Sequence, residues 1–342
     1  MTDPLVLPAL LLVSVFALSW WLTGRLRRYA LARQLIDTPN ARSSHVVPTP
    51  RGGGVAIVTT FMLALALLLW LHLIDVALVV AIAGGGGLVA LIGFMDDHGH
   101  IAARWRLLAH FVAALWVLFT GVAAMSNVAG FAGLGLAVSA VYLVWMLNLY
   151  NFMDGIDGIA SVEAITVCAG AALIYWLRGD APAGLMPPLA LAAAVTGFLV
   201  WNFPPAKIFM GDAGSGFLGI VLGVLSLQAG AVAPALFWSW VILLGVFIVD
   251  ATYTLLRRLL RGERVYEAHR SHAYQHASRR FASHRTVTLG VAAINVLWLL
   301  PWAVAVGLGW VGAGTGLVLA CLPLTLACRF FDAGAAERVR PQ

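Results

Sequence analysis

The stretch Asn148-Leu-Tyr-Asn-Phe-Met-Asp-Gly-Ile-Asp-Gly-Ile-Ala160 closes a long apolar run, and its polar residues recur at every third position: Asn148, Asn151, Asp154 and Asp157. A carboxylate beside hydrocarbon costs free energy, so an acidic cluster at this place indicates a functional site. A period of three drifts around an α-helix by about 60° per step, which predicts a helix break near Gly155. The site is therefore expected at a helix end that faces the cytosol.

Composition defines the class of protein around this stretch. Of the 342 residues, 61% are hydrophobic and 11% are charged, and the mean hydropathy is +0.92. A water-soluble domain does not need this much apolar surface, so we expect a polytopic membrane protein. The pI of about 9.6 comes from basic residues in short loops between apolar runs, and no soluble basic domain is present to bind nucleic acid.

Eleven apolar runs are long enough to span a membrane. They cover residues 5–22, 55–73, 76–94, 107–125, 128–147, 159–177, 184–201, 215–230, 232–252, 287–307 and 310–328. The first run is followed rather than preceded by arginines, beginning with Arg25. A cleavable signal peptide has the opposite order, so we expect an uncleaved anchor with its N-terminus outside.

The distribution of basic residues supports this topology. With the N-terminus outside and the C-terminus in the cytosol, every Lys and Arg except Arg178 falls on the cytosolic side, as the positive-inside rule requires. The sequence thus predicts an all-α protein with about 11 transmembrane helices in one domain, residues 1–342. The loops expected to form its active site on the cytosolic face are 23–54, 95–106, 148–158, 202–215 and 253–286. The weakest boundary between spans lies near residues 229–232.

The adjacent acids Asp96 and Asp97 end the third predicted span. Neighbouring side chains on a helix point about 100° apart, so one of the two is expected to face the bundle. A solvated helix end is the alternative interpretation of this pair.

Two glycine-rich loops present backbone amides that suit an anion. In residues 202–216, Asp212 lies among glycines and Ser215 is expected to cap the next helix. Phe209 in the same loop suits either stacking on a base or anchoring at the membrane interface. Residues 48–54, Pro-Thr-Pro-Arg-Gly-Gly-Gly, place Arg51 beside a triple glycine that suits either phosphate contact or helix packing.

Five acids share the cytosolic face under this topology: Asp96, Asp97, Asp154, Asp157 and Asp212. Their mutual repulsion calls for a cation, and hard carboxylate oxygens without thiols select Mg²⁺, or Mn²⁺ as the alternative. Because Mg²⁺ commonly shares its coordination shell with substrate phosphates, the cluster indicates phosphoryl transfer at the membrane.

These motifs, in this order, resemble the polyprenyl-phosphate N-acetylhexosamine-1-phosphate transferase family. The resemblance covers almost the whole chain, from Asp37-Thr-Pro-Asn through the acidic motifs and Phe209-Met-Gly-Asp-Ala-Gly-Ser to the loop His269-Arg-Ser-His-Ala-Tyr-Gln275. It implies a UDP-sugar donor, undecaprenyl phosphate as acceptor, and the products sugar-diphospho-undecaprenol and UMP. The expected location is the bacterial inner membrane, in contact with its lipids, and a homodimer is compatible with the sequence.

The resemblance also implies roles for individual residues. Asp212 would bind Mg²⁺, with Asp96 and Asp97 beside the metal and the lipid phosphate, whereas Asp154 and Asp157 would line the nucleotide side. Phe209 would stack on uracil, and His272 would be the catalytic histidine. The remaining residues expected to bind substrate are His45, where the lipid I-forming branch of the family carries a lysine, together with Arg51, Asn148, Asn151, Asn202, Lys207 and His269.

The segment from His269 to Gln275 is expected to choose the sugar, since its side chains suit sugar hydroxyls and an acetamido group. Its similarity to the O-antigen-initiating branch predicts a UDP-2-acetamido sugar, either N-acetylglucosamine or a 6-deoxy relative. Two alternative functions would require a different sequence. A CDP-alcohol phosphatidyltransferase would need Ala and Arg where Ser161 and Val162 stand, and a transporter would place ionisable groups near the bilayer midplane.

Overall fold

The computed structural model describes residues 6–39, 44–45, 47–99, 101–121, 132–180, 182–263 and 269–335. Parts of the predicted spans 107–125 and 128–147, parts of the predicted loops (40–43, 46, 100 and 264–268), and the terminal Arg338 and Arg340 lie outside these ranges. Among the described residues the chain is almost entirely helical. The helices of the first half are α1 (Val6–Ala32), α2 (Val55–Trp70), α3 (Val76–Ala81), α4 (Gly87–His98), α5 (Ala103–Phe119), α6 (Ala132–Met153), α7 (Ile159–Arg178) and α8 (Pro182–Asn202). Those of the second half are α9 (Asp212–Val232), α10 (Pro234–Leu243), α11 (Gly245–Leu260), α12 (Ala273–Phe281), α13 (His284–Ile294), α14 (Leu300–Gly307) and α15 (Ala313–Phe330).

Two turns of π-helix and one small sheet complete the architecture. The π-helical segments Ile82–Gly86 and Asn295–Leu299 join α3 to α4 and α13 to α14, so each pair forms one continuous helix. Strands β1 (Ile36–Asp37) and β2 (Thr49–Pro50) pair antiparallel, an element that the sequence did not predict.

In the described part of the chain, eight helices are long and apolar enough to cross a membrane, or nine if the bent pair α10 and α11 forms one span. The axes of that pair differ by 72°. The two other predicted spans correspond to α2 and α5, which are shorter, with 16 and 17 residues. Each predicted apolar run therefore overlaps a helix, and the protein is an all-helical, multi-pass membrane protein. The number of eleven crossings and the orientation remain predictions.

The predicted helix break is confirmed. Helix α6 ends at Met153, α7 begins at Ile159, and Gly158 between them has φ of +75°, a conformation that favours glycine. The Tyr150 hydroxyl donates to the Ala160 carbonyl at 2.6 Å across this break. Asp154 and Asp157 thus lie on a short non-helical connection held between two rigid helices. The predicted boundary near 229–232 is also confirmed, since α9 ends at Val232.

Helix α9 is the most buried of the long helices, and glycines bring its neighbours close to its first turn. A Cβ added to Gly54 would lie 2.4 Å from the Gly214 Cα atom. The amides of Gly53 and Gly54 donate to the carbonyls of Phe209 and Met210 at 2.9 and 2.8 Å. These two amides are therefore paired, which favours helix packing over phosphate contact as the role of the triple glycine.

Candidate active site

A central cavity of about 230 Å³ lies where the end of α4, the α6–α7 connection and the first turn of α9 meet. Nine of the residues predicted to form the site line this central cavity: His45, Arg51, Asp97, Asn151, Asp154, Asp157, Asn202, Phe209 and Asp212. The β1–β2 pairing brings residues 37 and 51 to the same cavity, because Thr49 pairs with Asp37. The structure thus gathers segments that are up to 247 residues apart in sequence into one acidic site, from Asp37 to His284.

Two further cavities adjoin the central one. A peripheral cavity of about 600 Å³ shares Ser44, His45, Asp157, Phe209 and His284 with the central cavity and adds residues of α12 and the start of α13. An interhelical cavity of about 170 Å³ lies between α4, α5, α6 and α9 and shares Asn151 and Asp212 with it. The acids therefore lie between a wide cavity lined by Arg279, Arg285 and the loop before α9, and a narrow cavity enclosed by four helices.

The acids Asp96 and Asp97 are held in different ways. The Asp97 side chain is buried, with the residue 5% exposed, and its carboxylate accepts the amides of Asp212 and Ala213 at 3.3 and 3.5 Å. Arg51 donates to the Asp97 backbone carbonyl. The prediction that one acid of the pair faces the bundle is therefore confirmed, and Asp97 is fixed directly to the start of α9.

Arg106 on α5 joins the other two acids at this end. Its Nη1 atom lies 2.5 Å from Asp96 Oδ2 and 3.1 Å from Asp212 Oδ2. Asp96 also accepts the Ile101 amide at 2.7 Å. Sequence reasoning counted Arg106 among the loop arginines without assigning it to the site, because only the fold shows which acids it meets.

The predicted cap at Ser215 is wrong. Helix α9 already begins at Asp212, after Gly211 with φ of +76°, and no side chain caps it. The Ser215 hydroxyl instead donates to the Gly211 carbonyl at 3.2 Å from within the first turn. The carboxylate of Asp212 consequently lies at the N-terminus of a helix, where the macrodipole favours negative charge.

The pKa of Asp154 is raised well above its ordinary value. Burial disfavours its charged form, and the carboxylates of Asp212, Asp97 and Asp157 add repulsion. No basic side chain counts among the causes of this shift. A cation bound in the central cavity would offset this repulsion and favour the charged form of Asp154.

The donor set fits a hard divalent cation in its chemistry, since Asp97, Asp154 and Asp212 present carboxylate oxygens and no cysteine lines the central cavity. In the described ranges no three His, Cys, Asp or Glu side chains already stand together as a cluster that could hold a metal. Arg106 contacts the Asp212 carboxylate in this arrangement. A cation would therefore have to share Asp212 with Arg106 or displace it.

Asp157 is held by three segments. Its carboxylate lies 3.2 Å from His284 Nδ1 and accepts the Ala206 amide at 3.0 Å, and its backbone carbonyl accepts from the Thr288 hydroxyl at 2.8 Å. Burial pushes the pKa of Asp157 upward, but the hydrogen bonds from His284 and Ala206 outweigh burial and hold that pKa below its ordinary value. Asp157 is thus a fixed anion beside the less readily ionised Asp154. His284 was not singled out from the sequence.

Phe209 and His45 form one wall of the central cavity. Their rings meet edge to face, with centroids 4.9 Å apart and planes at 65°. Both also line the peripheral cavity. A ring at this place is available to a flat ligand in the cavity, which favours the stacking interpretation of Phe209 over membrane anchoring.

The predicted polar residues differ in what their side chains already contact. Asn202 accepts the Gly158 amide and donates to the Ile208 carbonyl, both at 3.0 Å, so it ties the α6–α7 connection to the loop before α9. Asn148 lines only the interhelical cavity and donates to the Val144 carbonyl at 2.7 Å. Lys207 lies outside the three cavities, with its Nζ atom 5.7 Å from the Trp201 ring centroid.

The two predicted histidines do not line the central cavity. His272 is 1% exposed and lies against Asp250, with Nδ1 3.3 Å from Oδ1. His269 stacks on His272 with ring centroids 4.9 Å apart. Burial lowers the pKa of His269 to about 3, helped by the charges of His272 and Arg258. Neither residue belongs to the lining of the central cavity, and a catalytic role for His272 remains a prediction.

Asp250 organises this histidine segment from within α11. Besides His272, its carboxylate accepts the amides of Ala273 and Tyr274 at 2.9 and 3.0 Å. The Tyr274 hydroxyl in turn donates to the Phe152 carbonyl at 2.9 Å. Gln275, the next residue, lines the central cavity. Sequence reasoning did not single out Asp250, although an acid inside an apolar run was a usable signal.

The fold and the site define a multi-pass membrane protein with an acidic cavity at the ends of its central helices, and similarity to known proteins narrows this class. Residues 76–230 match the family described as Glycosyl transferase family 4. A probable undecaprenyl-phosphate N-acetylglucosaminyl 1-phosphate transferase of Bacillus subtilis strain 168 is 29% identical over 286 residues, covering 81% of this chain and 79% of that protein.

Two other relatives cover similar shares. A decaprenyl-phosphate N-acetylglucosaminephosphotransferase of Mycolicibacterium smegmatis is 29% identical over 317 residues, covering 82% of this chain and 78% of that protein. An undecaprenyl-phosphate alpha-N-acetylglucosaminyl 1-phosphate transferase of Thermotoga maritima is 26% identical over 279 residues, covering 80% and 84%. This chain is thus similar, over about four fifths of its length, to transferases whose names describe a polyprenyl phosphate and N-acetylglucosamine 1-phosphate.

Proposed function

We propose that the protein transfers an N-acetylated hexosamine-1-phosphate from a UDP-sugar to undecaprenyl phosphate and releases UMP. The observation that carries the proposal is the meeting of the acids in one central cavity that adjoins two others: a wide cavity with two arginines in its wall, and a narrow cavity between four helices. A water-soluble donor and a lipid acceptor need two such routes to one reacting centre. The cytosolic face of the bacterial inner membrane and the start of O-antigen synthesis are the expected setting.

The peripheral cavity suits the donor. Phe209 offers a ring at its junction with the central cavity, and Arg279 and Arg285 line its wall. Aromatic faces stack on bases, and arginines favour diphosphate oxygens. At about 600 Å³ the peripheral cavity is also large enough to hold part of a nucleotide sugar.

The interhelical cavity suits the acceptor. Its wall is largely apolar, with Val89, Ile92, Leu107 and Leu147, and it ends at Arg106 next to Asp212. An isoprenoid chain matches the apolar wall, and the lipid phosphate matches the guanidinium. This arrangement would bring the acceptor phosphate to the acids from the side of the membrane.

The reaction forms a bond between an oxygen of the lipid phosphate and the β-phosphorus of the donor. The bond from that phosphorus to the bridging oxygen breaks, and UMP leaves with the electron pair. Because the second pKa of a phosphate monoester is about 6, the acceptor is mostly dianionic at neutral pH and needs little help from a base. We therefore assign Asp96 and Asp97 to orientation of the site more than to proton removal.

The residues that would hold Mg²⁺ are Asp212 and Asp97, with Asp96 beside them. When bound, the ion would supply positive charge to the diphosphate oxygens. Arg106 and Arg51 would contribute fixed positive charge from the protein, since Arg106 contacts the Asp212 carboxylate and Arg51 contacts the Asp97 backbone carbonyl. The excess of carboxylates around Asp154 supports the presence of such a cation.

The test uses purified protein in detergent with undecaprenyl phosphate, Mg²⁺ and a panel of UDP-sugars, with CDP-linked donors as a separate arm. We expect lipid-dependent UMP release with a UDP-2-acetamido sugar, lost in Asp154→Asn. The matched control is Asp180→Asn, because Asp180 pairs with Arg178 just beyond the C-terminus of α7, the end of that helix remote from the cavity. Turnover of CDP donors alone, or transport without turnover, would contradict the proposal.

A further inference from the structure

His284 holds the junction between the central and peripheral cavities. It is the first residue of α13 and lines both cavities. Its Nδ1 atom lies 3.2 Å from Asp157 Oδ1, and its Nε2 atom lies 3.2 Å from the Ser44 carbonyl oxygen. One side chain thus joins the segment before β2 to the α6–α7 connection.

The Nε2 atom of His284 faces an acceptor, and the Nδ1 atom faces both the amide and the carboxylate of Asp157. A carbonyl oxygen only accepts, so Nε2 must carry a proton. The Nδ1 atom lies 3.5 Å from the Asp157 amide, which donates to it, and 3.2 Å from the Asp157 carboxylate. This carboxylate favours a second proton on Nδ1 and raises the pKa of His284, so protonation makes the ring an imidazolium paired with Asp157.

A positive charge on His284 does not stabilise the helix α13 that carries it. A cation at the N-terminus of a helix is opposed by the macrodipole, so α13 itself does not favour it. Helix α13 has its own cap, since Ser283 accepts the Thr286 amide at 3.1 Å. The charged or titratable side chains that line the two cavities with His284 are Asp37, His45, Arg51, Asp97, Asp154, Asp157, Asp212, Arg279 and Arg285. Among these groups, Asp157 lies within ion-pair distance of the ring.

We propose that His284 is a positioning residue for the nucleotide end of the donor. As an imidazolium it fixes the Asp157 carboxylate and draws Ser44 and the adjacent His45 against the wall that contains Phe209. The inference rests on the proposed function, because it assigns the nucleotide of the UDP-sugar to this junction. Loss of the pair should weaken binding of the donor and of UMP, while the acceptor end of the site stays intact.

The test compares His284→Ala, His284→Asn and His284→Lys with the wild type. For His284→Ala we expect the donor KM and the Kd of UMP to rise at least about tenfold, the loss typical of one hydrogen bond to a charged group. The KM for undecaprenyl phosphate should not change. Thr286→Ala is the matched control, because it alters the same first turn of α13 outside both cavities.

The pH profile separates positioning from general structural support. An imidazolium is present at low pH and is lost as pH rises, so UMP binding by the wild type should weaken with rising pH. His284→Lys should keep its binding to higher pH, and His284→Asn should show no such dependence. If wild-type turnover is established but His284→Ala leaves the donor KM and the UMP profile unchanged, the inference is wrong. If the wild type neither binds UMP nor turns over UDP-sugars, the proposed function itself fails.

Discussion

Replacing Gly93 by alanine tests whether the close approach of α4 and α9 positions the site. A Cβ at Gly93 would lie 2.5 Å from the Ala213 nitrogen and 2.5 Å from both the carbonyl carbon and oxygen of Asp212. Ordinary contacts between such atoms need about 3.5 to 4.0 Å, so the two helices must separate by about 1 Å. All three atoms belong to the backbone, and no side chain can rotate to relieve the contact.

The magnitude follows from two opposing effects on stability and one on activity. Overpacking costs about 1–3 kcal/mol, whereas alanine in place of a helical glycine contributes about 1 kcal/mol. The variant should therefore fold with little change or a modest loss of stability. A displacement of about 1 Å at the catalytic carboxylates can cost about 10²-fold in rate, so activity should fall much more than stability.

The assay measures kcat/KM for lipid-linked product together with the thermal midpoint in detergent. Gly87→Ala is the matched control, since it lies on the same helix and its added Cβ meets no atom within 4 Å. We expect Gly87→Ala to keep wild-type activity with equal or higher stability. Equal activity of the two variants would refute the idea that the backbone contact at Gly93 positions Asp212.

Further predictions concern the acids and their partners. Asp212→Asn should reduce turnover by more than tenfold, about 1.4 kcal/mol, and a folded variant that keeps more would remove Asp212 from the list of metal ligands. Asp250→Ala should lower the unfolding free energy by about 1–3 kcal/mol, because it leaves buried amides without an acceptor. The control Glu163→Gln, at another buried acid, should keep the unfolding free energy of the wild type. Equal thermal midpoints of the two variants would contradict this role of Asp250. Tyr274→Phe should lose about 1 kcal/mol with the bond to the Phe152 carbonyl, seen as a lower midpoint. The lowered pKa of Asp157 means that its charged form stabilises the fold. This stability is present above the ordinary carboxyl pKa of about 3.9 and is lost as the pH falls through the lowered value. The wild type should therefore lose more stability in acid than Asp157→Asn, and parallel acid profiles of the two proteins would contradict the shift.

The sequence was most informative where a residue type conflicted with its surroundings. Polar residues at every third position in an apolar run predicted both a break in the helix and a site, and the structure has Gly158 at φ of +75° beside Asp154 and Asp157. Helix geometry predicted that one acid of the adjacent pair at 96 and 97 faces the bundle without indicating which, and Asp97 is the buried member. These inferences depend on local chemistry, which one short segment of sequence contains.

The features of the site that the sequence did not predict depend on contacts between distant segments. Arg106 lies 106 residues from its partner Asp212, and His284 lies 127 residues from Asp157, so neither pairing has a local signature. Ser215 has the residue type of a cap, but the helix begins earlier because Gly211 already supplies the required turn. The side chains of residues 269–275 suit sugar recognition. His272, however, contacts Asp250, and Gln275 is the residue of this segment that lines the central cavity.

The most direct test of the proposed reaction follows the β-phosphate of the donor. Purified protein is given undecaprenyl phosphate, Mg²⁺ and UDP-N-acetylglucosamine, or a 6-deoxy relative, labelled on the β-phosphorus. Transfer of a sugar-1-phosphate predicts that the label moves into the lipid fraction with one UMP formed per labelled lipid. Release of labelled UDP with an unlabelled lipid product, or nucleotide release that does not depend on the lipid, would contradict it.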